Sequence, residues 1–199
     1  MSIINSRMPQ KARHALDAFL GSRRSAPRHH PFFDTSSTTV IRPHRLYRYV
    51  VGDPKTSTNR PSLSAVGWRC FIANESNDLA AVDVFRCTGG QYVCRLQLGE
   101  APRDWLRQIK RVERRKLVRE GLYDLRLLEM PAISFESLWL YSSDADDLFL
   151  TLDRTSVCPP RKPWTSRSDI DSLIKTSLSR SAELHNSLKR RIDTKDQRS

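Results

Sequence analysis

The chain has 199 residues, of which 38% are hydrophobic and 28% are charged, so it can bury one modest core but not several. No apolar run approaches the roughly 18 to 20 residues that a membrane span needs, and the N-terminus lacks the pattern of a secretory signal. We therefore expect a soluble, cytoplasmic protein. Its 34 Lys and Arg residues, against 22 Asp and Glu, give a formal net charge of +12.

The excess of positive charge lies at the two ends of the chain. Residues 1–61 have a net charge of +8, residues 62–157 of −1, and residues 158–199 of +5. The middle segment also holds 10 of the 16 aromatic residues. We therefore predict a folded domain between a basic N-terminal arm, largely linker, and a C-terminal segment made of a proline-led linker and a helix. Basic arms attract polyanions such as nucleic acid, although they also serve solubility, docking or targeting.

The N-terminal arm contains one short predicted helix, over residues 9–21. Pro9 suits a first helical turn. Four apolar residues then share one helical face: Ala12, Leu16, Phe19 and Leu20. Because residues 1–33 contain six Lys or Arg and only one acid, they also fit an organelle transit peptide.

Alternating and aromatic runs in the middle segment predict a mostly antiparallel sheet. Six runs have this character: 65–73, 80–88, 91–98, 123–130, 133–141 and 148–152. A further run, 40–51, could form an edge strand, although Pro43 limits it because proline cannot donate a hydrogen bond to a neighbouring strand. Strands, one long helix and further strands argue for the α+β class.

The clearest local signal is a hairpin formed by residues 80–88 and 91–98. Gly89 and Gly90 between them can take the positive φ values of a two-residue turn. The resulting register places five apolar side chains on one face: Phe85, Tyr92, Cys94, Leu96 and Leu98. This face needs a cover, which we expect the next helix to provide.

That helix is predicted over residues 103–120, between Pro102 and Gly121, and it is basic and amphipathic. Its apolar stripe is Trp105, Leu106, Ile109, Val112 and Leu117. The rest of its surface carries seven cations: Arg107, Lys110, Arg111, Arg114, Arg115, Lys116 and Arg119. Several cations on one element suit the neutralisation of phosphates. A solvated face is the simpler explanation, but seven cations exceed what solvation requires.

A second amphipathic helix begins near Ser168, after a proline-rich linker. Its apolar residues recur at helical spacing: Ile170, Leu173, Ile174, Leu178 and Leu188. Such a stripe packs on its own domain, binds a partner protein or stays disordered, and the sequence leaves these alternatives open.

The sequence offers little that would identify an enzyme. All five histidines lie in the flanking segments, so the middle segment has no imidazole base or ligand. Glycine loops for phosphates and paired-cysteine motifs are absent. The four cysteines (Cys70, Cys87, Cys94 and Cys158) are expected to be reduced, three of them as small core residues.

Carboxylates are the remaining candidates for chemistry. The acidic turn formed by Asp144, Asp146 and Asp147 has the residue types that ligate Mg²⁺ or Ca²⁺, but a polar hairpin turn explains it with fewer assumptions. A hydrolase based on carboxylates alone would draw on this turn and on Asp83, Glu129 and Glu136.

We therefore expect a non-enzymatic binding protein that needs no metal or other cofactor. The leading function is the binding of an anionic partner, above all nucleic acid, through phosphate contacts. The contacting residues would be Arg107, Lys110, Arg111, Arg114, Arg115 and Arg119. The alternative is a protein-interaction adaptor that docks through the C-terminal helix, and a third hypothesis is a carboxylate- or metal-dependent enzyme.

Overall fold

The computed structural model describes residues 2–4, 7–24, 31–33, 38–50, 62–115, 118, 122–131, 135–144, 146–151, 166–177, 179–180 and 183. These residues form one eight-stranded sheet with helices on both faces. The strands are β1 (Ser2–Ile4), β2 (Thr38–Val50), β3 (Ser62–Asn74), β4 (Leu79–Arg86), β5 (Tyr92–Gln97), β6 (Leu122–Met130), β7 (Phe135–Tyr141) and β8 (Leu148–Thr151). The helices are α1 (Gln10–Arg24), α2 (Glu100–Glu113) and α3 (167–177). The predicted α+β class is confirmed.

The sheet consists of two antiparallel parts that meet where β2 and β6 run parallel, and β1 also runs parallel to β6. Its order is β5-β4-β3-β2-β6-β7-β8, with β1 also paired to β6. β2 and β6 run parallel, whereas β2 to β5 form one antiparallel series and β6 to β8 another. Parallel neighbours need a long crossover connection. α2 provides it, because it follows the edge strand β5 and returns the chain to the middle of the sheet.

β2 lies inside the sheet, so the prediction of an edge strand was wrong. It is hydrogen-bonded to β3 on one side and to β6 on the other. Pro43 is tolerated because β2 pairs with β6 only over Arg45–Arg48, beyond the proline. The predicted basic N-terminal arm is not confirmed either, since residues 1–61 supply β1, α1 and β2.

The predicted hairpin exists as β4 and β5, but its register is shifted by one residue. Phe85 lies opposite Val93, not opposite Cys94. The cause is a longer loop, in which Thr88–Gly90 form a 3-10 turn and the Cys87 N–H donates to the Gln91 carbonyl at 2.8 Å. The shift moves the side chain of Phe85 to the opposite face from Cys94.

α1 covers the apolar face of this hairpin, which we had assigned to the basic helix. The predicted helix is confirmed and extends to Arg24. Ala12, Leu16 and Leu20 are buried against Trp68, Cys70, Ile72, Val82 and Val84, and the partly buried Tyr92, Cys94, Leu96 and Leu98 pack around them. α1 can pack on this face because β2, which follows it in the chain, is part of the same sheet.

α2 packs on the other face and is shorter than predicted. Its buried residues contact Leu46, Phe71, Leu125, Leu127 and Leu138 in the sheet. The helix ends at Glu113, because the Arg115 N–H bonds to the Val112 carbonyl and the Val118 N–H to the Arg115 carbonyl. These tighter turns bring Val118 into the core, where it is 2% exposed. A long basic helix over residues 103–120 is therefore not confirmed, and Lys116, Leu117 and Arg119 lie outside the described residues.

α3 lies on the same face of the sheet as α1. It packs on Tyr47 and Leu128, whose chain neighbours Leu46 and Leu127 point to α2. Within the described ranges, no helix combines the length and the apolar composition needed to cross a bilayer.

Candidate functional site

α2 presents one side to solvent because its other side is fixed in the core. Trp105 and Ile109 are each 2% exposed and Val112 is 1% exposed. Trp105 Nε1 also donates a hydrogen bond to Glu136 Oε2 at 3.1 Å. Buried contacts along two turns leave the helix little freedom to rotate, so the orientation of its outer side is fixed as well.

The outer side of α2 carries a row of cations that we call the cation stripe. It consists of Arg103, Arg107, Lys110 and Arg111 on α2 and of Arg114, which caps the C-terminus of the helix. Spacings of three and four residues place all of them on one side of the helix, and every one of them is exposed. At a rise of 1.5 Å per residue, the stripe runs for about 16 Å along the helix axis.

The two ends of the cation stripe differ in how their charges are neutralised. At the N-terminal end, Arg103 Nη2 lies 2.9 Å from Asp78 Oδ1, and Arg107 Nη1 lies 2.9 Å from Asp104 Oδ1. At the C-terminal end, no ion-pair partner within the described part of the chain was found for Lys110, Arg111 and Arg114. The nearby Glu113 does not serve this purpose, because it is paired with Arg42. Among the described residues, unbalanced positive charge is therefore concentrated at the C-terminal end of α2.

The residues that we predicted to bind an anion do not all lie on α2. Arg107, Lys110 and Arg111 lie on α2, and Arg114 and Arg115 are exposed in the turn that follows it. Arg119 falls outside the described residues. The sequence did not single out Arg103, because a helix beginning there would make it a terminal residue; the observed start at Glu100 adds it to the stripe.

A second polar site lies on the face of the sheet that α2 covers. We call it the Arg69 cluster. It comprises Arg48, Arg69, Asp83, Arg95, Gln97, Glu129 and Glu136. The structure thereby brings together Asp83, Glu129 and Glu136, three of the carboxylates that the sequence offered for a carboxylate enzyme, but not those of the acidic turn. Arg69 and Asp83 are both 0% exposed, so the centre of the cluster is buried, whereas the side chains of Arg48 and Arg95 are 37% and 50% exposed.

Arg69 is the centre of this cluster. Its Nε lies 2.7 Å from Asp83 Oδ1 and its Nη2 lies 3.1 Å from Asp83 Oδ2. Its Nη1 donates to Glu136 Oε1 at 3.3 Å, and Glu129 Oε2 is 3.6 Å from Nη2. The guanidinium also lies 5.3 Å from the ring centre of Trp105. Every guanidinium nitrogen of Arg69 therefore lies close to a carboxylate oxygen.

Further donors complete the neutralisation of the carboxylates. Asp83 Oδ2 accepts from Arg95 Nη2 at 2.7 Å and from Gln97 Nε2 at 2.6 Å. Glu129 accepts from Arg48. Burial would lower the pKa of Arg69, but its hydrogen bonds to Asp83 and the negative charges around it outweigh burial and raise that pKa.

These contacts give the Arg69 cluster a structural character. Asp83, Glu129 and Glu136 are held by guanidinium groups, so none of them presents a free carboxylate to a substrate proton or a cation. No group of three or more His, Cys, Asp or Glu that could hold a metal ion occurs among the described residues. The sequence named the acids but missed Arg69. The available signal was the apolar Phe71, two residues along β3 on the same face, which indicates that this face is covered as well.

His44 was assigned to the N-terminal arm, but the structure places it in the core. It is 2% exposed on β2 and packs edge-on against Phe71, with ring centres 5.9 Å apart. Neither ring nitrogen has a hydrogen-bond partner of normal geometry within the described part of the chain. Burial, and secondly the charge of Arg42, lower the pKa of His44 to about 4, against a smaller opposing effect of the Leu125 backbone. His44 is therefore neutral at physiological pH.

The residues proposed for partner binding on the C-terminal helix lie against the sheet. Ile170 is 1% exposed and Ile174 is 0% exposed, in a cluster with Tyr47, Tyr49, Leu128, Met130, Phe135, Trp139 and Phe149. Leu173 is partly buried against the same cluster. Leu178 and Leu188 lie outside the described residues. Of the three alternatives for this helix, packing on the domain is the one observed for residues 167–177.

The acidic turn lies between β7 and β8, which pair as an antiparallel hairpin. Asp144 and Asp146 are exposed, and Asp147 Oδ2 lies 4.0 Å from Nη1 of Arg167 in α3. Of the cysteines, Cys70 is buried, Cys94 is partly buried and Cys87 is exposed, and all three are free thiols. Cys158 lies outside the described residues.

Comparison with known proteins gives no further assignment. No family model, no curated protein and no solved structure matches this chain.

Proposed function

We propose that this protein binds a polyanion, above all nucleic acid, by placing the cation stripe of α2 against phosphates. The observation that carries the proposal is the C-terminal end of the stripe. Lys110, Arg111 and Arg114 are exposed there without a carboxylate partner in the described part of the chain, at the end of a helix whose opposite side is buried.

Charge physics supports this function. Cations that contact phosphates release the counterions condensed on a nucleic acid, which favours binding and makes it depend on salt. The partial negative charge at a helix C-terminus explains why cations are favourable near the end of α2. This dipole effect does not explain why Lys110, Arg111 and Arg114 have no carboxylate partner in the described part of the chain. Arg103 and Arg107 of the same stripe each have one. The formal net charge of +12 acts in the same direction by attracting a polyanion from a distance.

The other two functions have less support from the positions of their residues. An adaptor that docks through the C-terminal helix would need Ile170 and Ile174, which are buried against the sheet. A carboxylate enzyme would need Asp83, Glu129 and Glu136, which are engaged by arginines. We therefore propose neither of them as the function.

Charge reversal on the stripe tests the proposal. The triple variant Lys110→Glu, Arg111→Glu, Arg114→Glu should lose at least about tenfold in affinity for a labelled nucleic acid at low salt, because three phosphate contacts become repulsive. Thermal melting should change little, since all three side chains are exposed.

The matched control reverses three exposed cations away from α2, with the same change in net charge: Lys11→Glu, Arg13→Glu and Lys175→Glu. We expect the control to lose several-fold less affinity than the stripe variant. Equal losses in the two variants would show that binding follows net charge alone, and full affinity in the stripe variant would reject α2 as the site.

A further inference from the structure

We infer that the partner is double-stranded nucleic acid, held by the whole cation stripe, including the two arginines that are ion-paired in the free protein. The inference rests on the proposed function and adds the class of nucleic acid and the role of the paired residues. Three features of the surface around α2 lead to it.

The first feature is that the stripe is straight and rigid. Buried Trp105, Ile109 and Val112 fix the helix on the sheet, so the cations emerge along a line of about 16 Å. A duplex is equally stiff and carries one phosphate charge per about 1.7 Å of its axis, so it meets several cations without losing conformational freedom. A flexible single strand would have to be ordered along the helix at an entropic cost.

The second feature is the lack of a stacking platform. Proteins that bind single strands hold the bases on aromatic side chains. Every aromatic residue in the described ranges is buried or partly buried, and the large apolar side chains that are exposed are Val40, Ile41 and Val93. The stripe can therefore bind phosphates, but the described surface offers no base stacking that would offset the entropic cost of ordering a single strand.

The third feature is that Arg103 and Arg107 can exchange their partners. Both guanidinium groups lie at the surface: the side chains of Arg103 and Asp78 are 53% and 55% exposed, and those of Arg107 and Asp104 are 66% and 24% exposed. Exposed ion pairs contribute little to stability, so a phosphate can replace the carboxylate. Asp78 and Asp104 thus compete with the phosphates for the N-terminal half of the stripe.

Fluorescence anisotropy with three labelled ligands tests the choice of partner. We would compare a 16-bp mixed-sequence DNA duplex, an RNA duplex of the same length and a dT strand with the same number of phosphates, at one salt concentration. We expect the two duplexes to bind alike and the single strand at least about tenfold more weakly, because contacts to phosphates read charge and shape. Equal or tighter binding of the single strand would overturn this inference but leave the proposed function intact. Binding of none of them would reject both.

Removal of the competing carboxylates tests the role of the paired arginines. Asp78→Asn with Asp104→Asn should tighten duplex binding about threefold or more, because Arg103 and Arg107 then reach phosphates without first leaving a carboxylate. The log-log slope of the salt dependence should stay nearly unchanged, since the same cations contact phosphates in both proteins. The control, Asp144→Asn with Asp146→Asn, removes two exposed carboxylates from the turn between β7 and β8. Equal tightening in both variants, or none in the first, would overturn the inference.

Discussion

The guanidinium of Arg69 and the carboxylate of Asp83 form a two-point ion pair inside the protein, with Nε–Oδ1 and Nη2–Oδ2 distances of 2.7 and 3.1 Å. Both residues are fully buried between the sheet and α2. Charges that have lost their water are stable only while each has its partner. The pair joins β3 to β4. Replacing one of the two residues should therefore destabilise the fold more than replacing both by apolar residues.

Removing one partner of this pair should be strongly destabilising. We expect Arg69→Met to lower the free energy of unfolding by about 3 to 5 kcal/mol in urea denaturation, because Asp83 is left buried with a weaker set of donors. Arg69→Met with Asp83→Leu should cost less than the sum of the two single changes. Arg107→Met, which breaks an exposed ion pair, should cost about 1 kcal/mol or less. Similar losses for Arg69→Met and Arg107→Met would contradict the buried role of Arg69.

Gly67 is required by the close approach of β3 and β4. A Cβ at this position would lie 2.1 Å from the Val84 carbonyl oxygen, so Gly67→Ala must push the strands apart. We expect a loss of more than about 2 kcal/mol in the free energy of unfolding, in line with overpacked cores. Gly21 in α1 has nothing within 4 Å of its added Cβ, so Gly21→Ala should be neutral or should stabilise by up to about 1 kcal/mol. A neutral Gly67→Ala would refute the close approach.

His44 should make the fold sensitive to acid. Its pKa is lowered to about 4 in the folded protein, so the unfolded chain takes up a proton first as the pH falls below about 6.5. Its contribution to stability is present in full above pH 6.5 and decreases by about 3 kcal/mol between that pH and pH 4. His44→Leu should remove this part of the pH dependence in denaturation measured from pH 7 to pH 4. An identical pH dependence in the wild type and the variant would contradict the burial of His44.

Ile174 should contribute to the core through α3. It is 0% exposed, so Ile174→Ala should lower the free energy of unfolding by about 2 to 5 kcal/mol through lost burial and the cavity left behind. The neighbouring Lys175 is exposed, and Lys175→Ala should change the free energy by less than about 0.5 kcal/mol. If Ile174→Ala had no effect, α3 would be free to leave the sheet, and a docking role for it would regain support.

Local patterns in the sequence predicted most elements but not how distant ones meet. The alternation in β3, β4 and β5 and the amphipathic face of α1 depend on neighbouring residues, and the structure confirms them. The position of β2 depends on a parallel pairing with β6 that is about 80 residues away, and Pro43 argued against it. His44 was placed outside the core for the same reason.

The candidate site was predicted in part for similar reasons. The cations of α2 follow from helical spacing, whereas the pairing of Arg103 with Asp78 and of Glu113 with Arg42 depends on a loop and a strand that fold against the helix. The register of the hairpin turned on one extra loop residue, which moved Phe85 to the other face of the sheet. The carboxylates of the Arg69 cluster were visible as residue types, but their neutralisation required the arginines of three strands.

The salt dependence of duplex binding gives the most direct test of phosphate contacts by α2. Affinity would be measured between 50 and 200 mM salt for the wild type and for Lys110→Gln, Arg111→Gln, Arg114→Gln. If each side chain neutralises one phosphate, the variant should bind more weakly and its log-log slope should be smaller by about 2.7. An unchanged slope and affinity in the neutralised variant would contradict the assignment of α2 as the binding surface.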